Sequence, residues 1–136
     1  MHKQLVQGLI ERQIRQARRS MPANVQVEQK ATTVLVRISN GEQRLLFSLE
    51  GPNYDAEPFR LMALDPDSGK PLEDGAWPVR INSGIHSVFG RPFCCLRGLY
   101  EYYCHPSHIA ELWDHDRYQI NLETLLGYLL KKCGCQ

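Results

Sequence analysis

The feature that most constrains the fold is the alternation of apolar and polar residues between positions 25 and 64. A two-residue repeat places successive side chains on opposite faces, so it predicts half-buried β-strands. Asn40-Gly41 lies between two of these runs and favours a tight turn that joins them as an antiparallel hairpin. We therefore expect an antiparallel strand meander whose last strand covers residues 59–64. The alternating apolar positions are Val25, Val27, Val34, Val36, Ile38, Leu45, Phe47 and Leu49.

Helical patterns flank this meander. In residues 3–20, apolar side chains recur at spacings of three and four, which predicts an amphipathic helix. Residues 122–130 repeat that spacing, with Asn121 as a candidate N-cap and Gly134 near the end. The intervening residues 70–90 have no clear period. A helix, a strand meander and a C-terminal helix predict an α+β fold.

Length and composition narrow the class of protein. A chain of 136 residues suits one domain, residues 1–136, with a core that needs no disulfides. Sixteen Lys and Arg against fifteen Asp and Glu give a net charge of +1, so no overall field favours nucleic acid or an anionic membrane. No apolar run is long enough to cross a bilayer, and no signal-peptide core is present. With five cysteines, an odd count, we expect a cytoplasmic protein whose cysteines are thiols or ligands.

Most of the reactive side chains are concentrated in residues 91–108, among aromatic residues, and this concentration indicates a site. They are Cys94, Cys95, Cys104, Glu101, His105 and His108. A reactive cysteine needs an accessible thiol with a populated thiolate, and Arg91 and Arg97 flank the cysteine pair and could favour the thiolate. Because strand alternation sends adjacent side chains to opposite faces, only one of Cys94 and Cys95 should face the site.

Three interpretations of the acid and the histidines stay open. On one helix, Glu101, His105 and His108 would share a face, whereas Pro106 favours a turn that holds both histidines. As catalytic helpers, either histidine could deprotonate an incoming amine, and Glu101 could orient a histidine or the amine. As ligands, together with Cys95 or Cys104, the three residues could form a tetrahedral zinc site. The third interpretation is that the histidines are ordinary surface residues.

The order of the predicted elements resembles the ubiquitin-conjugating enzyme (UBC-like) fold over nearly the whole chain. Its local anchors are residues 56–64 (AEPFRLMAL), His86, Cys95-Leu96 and Trp113. A more specific likeness is to the Cys-Glu-His-His pattern of bacterial proteins, some predicted to bind metal, that are associated with ubiquitin-like modifier systems. The residues that match this pattern are Cys95, Glu101, His105 and His108.

This resemblance implies an acyl transferase of a bacterial conjugation pathway, such as one in antiphage defence. Cys95, which precedes a Leu as in the family, would accept a ubiquitin-like modifier as a thioester from an activating enzyme and pass it to an amine of a protein target. The implied catalytic residues are Cys95, Glu101, His105, His108 and His86, without a cofactor. The alternative is a zinc site built from Cys95, Glu101, His105 and His108.

The chain departs from the family pattern before the cysteine. The family has a His-Pro-Asn tripeptide whose Asn supports the oxyanion, whereas this chain has Ile85-His86-Ser87. The oxyanion donor is therefore open: backbone N–H groups around Cys95, or the side chains of His86 or Asn82, are the candidates.

Two other classes of protein stay open. A cysteine protease or deconjugating enzyme would need the same cysteine, histidine and acid, although its histidine usually lies far from the cysteine in sequence. A non-catalytic binding module with the conjugating-enzyme fold would instead use Tyr100, Tyr102 and Tyr103 as a contact patch.

Overall fold

The computed structural model describes residues 2–134, which form an N-terminal helix, an antiparallel sheet, an irregular crossing segment and a C-terminal helix. The elements are α1 (His2–Arg18), β1 (Val25–Lys30), β2 (Thr33–Asn40), β3 (Gln43–Glu50), β4 (Arg60–Leu64), α2 (Tyr100–Tyr103), α3 (Trp113–Asp116) and α4 (Leu122–Cys133), with single 3₁₀ turns at Asp74–Ala76 and Pro106–His108. The predicted α+β class is confirmed.

The four strands pair in chain order, each antiparallel to the next. The alternation observed in the sequence places Val36 opposite Phe47, and both side chains are fully buried. Gly41 adopts the left-handed conformation, with a φ of 65°, that the hairpin turn between β2 and β3 requires. The last strand begins at Arg60, because Phe59 instead pairs with Leu99 and so ties β4 to the start of α2.

The two long helices pack against each other, and α1 also packs against the sheet. Helix α1 buries its apolar stripe against β1 and α4, and it ends at Arg18, two residues before the predicted end. Helix α4 begins where predicted, since the Asn121 side chain accepts a hydrogen bond from the Thr124 N–H at 2.9 Å. It ends at Cys133 and is capped by Gly134, which has a φ of 73°. These caps set where α4 begins and ends.

The crossing segment between β4 and α2 is irregular, as expected, but it is tied down by local contacts. The Trp77 indole donates to the Leu72 carbonyl at 3.0 Å, and Ile85 forms a single β-bridge with Pro92. The Ser83 N–H donates to the Phe93 carbonyl at 2.9 Å. These contacts hold the chain that precedes the cysteine pair in place. None of the helices within residues 2–134 has both the length and the apolar composition that a membrane span requires.

Candidate active site

The two adjacent cysteines lie in different environments. Cys94 is fully buried, and burial raises the pKa of its thiol to about 12. Cys95 is half-buried and reaches solvent. Burial also raises the pKa of the Cys95 thiol, while the ammonium of Lys132 opposes that shift. The accessible thiol of this pair is therefore that of Cys95, and at rest it is protonated.

The Cys95 thiol faces a histidine that is oriented by a carboxylate. The distance from Cys95 Sγ to His108 Nε2 is 3.6 Å. The other ring nitrogen, His108 Nδ1, lies 2.7 Å from Glu111 Oε2. Because an ionised carboxylate can only accept, the hydrogen lies on Nδ1 and the lone pair of Nε2 points at the thiol. His108 is thus positioned to take the thiol proton.

Two neighbours hold Glu111 and the histidine ring in place. The Tyr102 hydroxyl donates to Glu111 Oε1 at 2.7 Å, and the Tyr102 ring stacks on the His108 ring with centroids 3.9 Å apart. An Arg97 nitrogen lies 3.8 Å from Glu111 Oε1. The Tyr102 hydrogen bond is the main cause that lowers the pKa of Glu111, so this group is a carboxylate at neutral pH.

A tight turn explains why these groups meet. His105 caps the 3₁₀ turn Pro106–His108, where its Nδ1 accepts a hydrogen bond from the Ser107 N–H at 3.2 Å. A second turn follows, because the Glu111 N–H donates to the His108 carbonyl at 2.9 Å. This turn places His108 and Glu111, three residues apart, on the same side of the chain. Of the two arrangements considered from the sequence, the structure has the turn rather than a shared helix.

Glu101, a predicted catalytic residue, lies in the interior. Its side chain is 1% exposed, and its Oε1 accepts the Leu61 N–H at 3.1 Å. Its Oε2 lies 3.9 Å from an Arg91 nitrogen, and no hydrogen-bond donor within residues 2–134 reaches this oxygen. Burial raises the pKa of Glu101 to about 7. The carboxyl is directed toward β4, away from solvent.

His86 is also in the interior, with both ring nitrogens engaged. Its Nδ1 accepts hydrogen bonds from the Val88 and Phe89 N–H groups at 3.1 and 3.3 Å. Its Nε2 therefore carries the hydrogen and donates to the Glu101 carbonyl oxygen at 3.0 Å. The ring is fully buried. His86 holds the loop before the cysteines against α2, and it has no donor left for a substrate.

The cation beside Cys95 is a lysine of α4, whereas the sequence suggested Arg91 and Arg97. Arg97 is paired through two hydrogen bonds with Asp116, at 3.0 and 3.1 Å, and Arg91 lies near Glu101. The cation that lowers the pKa of Cys95 is Lys132, whose Nζ donates to the Cys95 carbonyl at 3.5 Å. Each of the two flanking arginines is directed to a carboxylate, and their effect on the thiolate stays a prediction.

The Cys-Glu-His-His set does not converge on one point in this arrangement. Glu101 is bound to Leu61, the His105 Nδ1 faces Ser107, and His108 is held by Glu111. In the part of the chain that is described, no group of three or more His, Cys, Asp or Glu side chains is arranged to hold a metal ion. These four residues therefore do not fit a shared ion in the present geometry, and the zinc site stays a prediction.

Sequence reasoning missed three groups around Cys95. Glu111 carries a local signal, since it follows His108 by three residues on a turn. Ser83, whose Oγ accepts the Cys95 N–H at 2.8 Å, and Lys132 carry none, because they come from positions 12 and 37 residues away. No family model matches the sequence, and no curated protein matches it.

Proposed function

We propose that the chain is a ubiquitin-conjugating-enzyme-like acyl transferase that carries a ubiquitin-like modifier as a thioester on Cys95. The observation that carries this proposal is the chain of contacts from the Cys95 thiol through His108 to Glu111. A cysteine is activated for acyl chemistry by a base within hydrogen-bond reach, itself oriented by a third group. Cys95 is half-buried, so its thiol is accessible to an acyl donor.

Loading follows from this geometry. His108 Nε2 takes the Cys95 proton, and the sulfur attacks the thioester carbonyl that joins the modifier to its activating enzyme. The new carbon–sulfur bond forms as the old one breaks, and the departing thiolate takes the proton back from His108. Glu111 stabilises the imidazolium while the proton is held.

Discharge uses the same groups in reverse. An amine of the target attacks the Cys95 thioester, and His108 removes a proton from the attacking nitrogen. The carbon–sulfur bond then breaks, the amide forms, and the proton on His108 returns to the Cys95 sulfur. No cofactor is needed within this chain, since ATP is consumed by the activating enzyme.

The element order supports the ubiquitin-like class. A helix, four antiparallel strands in chain order, an irregular segment that ends in the cysteine and a C-terminal helix form the arrangement that the sequence resemblance predicts. The resemblance also selects Cys95, the cysteine that precedes Leu96, and the burial of Cys94 agrees with that choice.

Mass spectrometry of the intact protein tests the proposal. The protein is incubated with ATP, a modifier and an activating enzyme encoded beside it, and in parallel with a glycine-terminated peptide thioester of mercaptoethanesulfonate. We expect a thiol-labile mass gain equal to the modifier or the peptide. It should be lost in Cys95→Ser and kept in Cys94→Ser, the matched control. Persistence of the adduct in Cys95→Ser would contradict the proposal, and a zinc-sized excess in the native mass with no adduct would favour the zinc site.

A hydrolase is the second candidate, because the contacts of Cys95, His108 and Glu111 also suit a deconjugating enzyme. The fate of the peptide adduct separates the two. After excess thioester is removed, a transferase keeps the adduct until an amine such as free lysine is added, and the product is then the peptide amide. A hydrolase releases the peptide acid without an amine. The binding module, in which Cys95 has no role, predicts no adduct.

A further inference from the structure

Acyl transfer develops negative charge on the carbonyl oxygen, and neither His108 nor Glu111 is placed to stabilise that charge. Two side chains considered from the sequence are engaged elsewhere. His86 is buried with both nitrogens hydrogen-bonded. Asn82 donates to the Asp74 backbone and carboxylate at 3.2 and 2.9 Å, and accepts the Gly84 N–H at 2.8 Å. Both side chains build the loop and leave the reacting carbonyl without a donor.

Ser83 is the polar side chain in contact with the backbone of the nucleophile. Its Oγ accepts the Cys95 N–H at 2.8 Å, and its own N–H is fixed by the Phe93 carbonyl at 2.9 Å. The residue is exposed. A hydroxyl that accepts a hydrogen bond keeps its own hydrogen for donation, and within residues 2–134 the Ser83 hydroxyl has no protein acceptor. That hydrogen is available to a substrate.

We propose that Ser83 is a catalytic residue whose hydroxyl donates a hydrogen bond to the carbonyl oxygen of the acyl group on Cys95, where negative charge develops in the tetrahedral intermediate. This inference rests on the proposed acyl transfer and adds a residue to Cys95, His108 and Glu111. His108 acts on the thiol proton, whereas Ser83 acts on the carbonyl oxygen.

The geometry gives the hydroxyl two advantages. A hydrogen bond accepted from the Cys95 N–H polarises the hydroxyl, and such chains strengthen each bond by roughly 10–30%. The contact also holds the oxygen 2.8 Å from the backbone nitrogen of Cys95, so little reorganisation is needed as charge develops. The Lys132 ammonium, 3.5 Å from the Cys95 carbonyl, adds positive charge to the same side of the site.

The test compares two reactions of the same thiol. Acylation by the glycine-terminated peptide thioester passes through a tetrahedral oxyanion, whereas alkylation by iodoacetamide does not. Both rates are measured at Cys95 by peptide mapping, with fragmentation to separate Cys95 from Cys94. The variants are Ser83→Ala, Ser83→Thr and, as matched control, Ser87→Ala, another exposed serine of the same loop.

We expect Ser83→Ala to slow acylation by about 10- to 100-fold, near the range for loss of one oxyanion donor, and to leave alkylation unchanged. Ser83→Thr keeps the hydroxyl and should recover most of the acylation rate. The control should match the wild-type protein in both reactions.

Three results would overturn the assignment. If Ser83→Ala is acylated at the wild-type rate, the hydroxyl is dispensable. If the variant is acylated faster, Ser83 blocks the oxyanion position instead. An equal fall of both rates shows that Ser83 only positions the cysteine. Each of these leaves the Cys95 centre intact. If the wild-type protein forms no thiol-labile adduct on Cys95, the proposed function fails and the role of Ser83 fails with it.

Discussion

Two histidine–glutamate pairs within residues 2–134 share residue types but differ in environment. His86 and Glu101 are fully buried, and the histidine uses both nitrogens on backbone groups. His108 and Glu111 are partly exposed, and their contact leaves one histidine nitrogen directed at the Cys95 thiol. The first pair connects the loop before the cysteines to α2, and the second is free to exchange protons. Burial and the hydrogen-bond partners, rather than the residue types, decide which pair holds the fold and which pair can exchange protons.

The largest effect should come from the exposed pair. His108→Ala removes the base that faces the thiol, so we expect acylation of Cys95 by the peptide thioester at pH 7.5 to fall by about 10²- to 10⁴-fold. The free energy of unfolding should change by less than about 1 kcal/mol, because the ring is partly exposed. Single-turnover kinetics and urea unfolding measure the two quantities. His115→Ala, which alters an exposed histidine of α3, serves as the control, and an unchanged acylation rate in His108→Ala would remove the base from the mechanism.

The buried pair should respond in the opposite way. His86→Ala leaves the Val88 and Phe89 N–H groups and the Glu101 carbonyl without a partner and opens a cavity. We expect the free energy of unfolding to fall by about 3 to 4 kcal/mol, measured by equilibrium urea denaturation. The acylation rate of the fraction that stays folded should remain within about threefold of the wild-type rate. A stable His86→Ala protein that has lost acylation would instead return His86 to the active site.

The third prediction is a smaller effect: the contribution of Glu101 to the free energy of unfolding should depend on pH. Burial raises its pKa to about 7 from an ordinary value of 4.5, so the folded state holds this proton more tightly than the unfolded chain. The resulting stability is complete below about pH 4.5 and is lost as the pH rises through 7. Glu101→Gln cannot lose a proton, so its stability relative to the wild-type protein should rise by about 3 kcal/mol between pH 4.5 and pH 9. Thermal unfolding across this range measures the difference.

The control for this pH effect is Glu123→Gln on α4, a half-exposed carboxylate that accepts a hydrogen bond from Ser20. It should show no comparable change across the same range. A pH-independent difference between Glu101→Gln and the wild-type protein would mean that Glu101 is ionised in the folded state, with Arg91 as its effective partner.

The fold was more predictable from the sequence than the site, because its signals are local. The alternation in residues 25–64, the Asn40-Gly41 turn and the Asn121 cap each act over a few neighbouring positions, and each lies where the sequence predicted. The site depends on which side chains meet across the fold. Nothing near Lys132 in the sequence indicates that it reaches the Cys95 backbone.

The same limit explains why the sequence indicated Glu101, and not Glu111, as the acid beside the histidines. Glu101 and Glu111 are ten residues apart, and both lie near the histidines in sequence. Which carboxylate reaches a histidine depends on the start of α2, where the Tyr100 N–H donates to the Phe59 carbonyl and turns Glu101 inward toward β4. That contact spans 41 residues, so a local pattern cannot encode it. Cys95 was preferred to Cys94 because Leu96 follows it, as in the family that the chain resembles, and because only one of two adjacent cysteines should face the site; its catalytic role stays a prediction.

The smallest predicted effect concerns the cation that the sequence did not indicate. The Lys132 ammonium lowers the pKa of the Cys95 thiol against the effect of burial. Lys132→Met should therefore raise that pKa and slow the alkylation of Cys95 by iodoacetamide at pH 7.5 by about two- to threefold at low salt. The difference should shrink at 1 M salt, where charges are screened within about 3 Å. The pH dependence of the alkylation rate gives the pKa, and Lys131→Met, at the exposed neighbouring position, is the matched control. If both variants slow alkylation equally, the general positive charge of α4, rather than the contact of Lys132 with the cysteine segment, tunes the thiol.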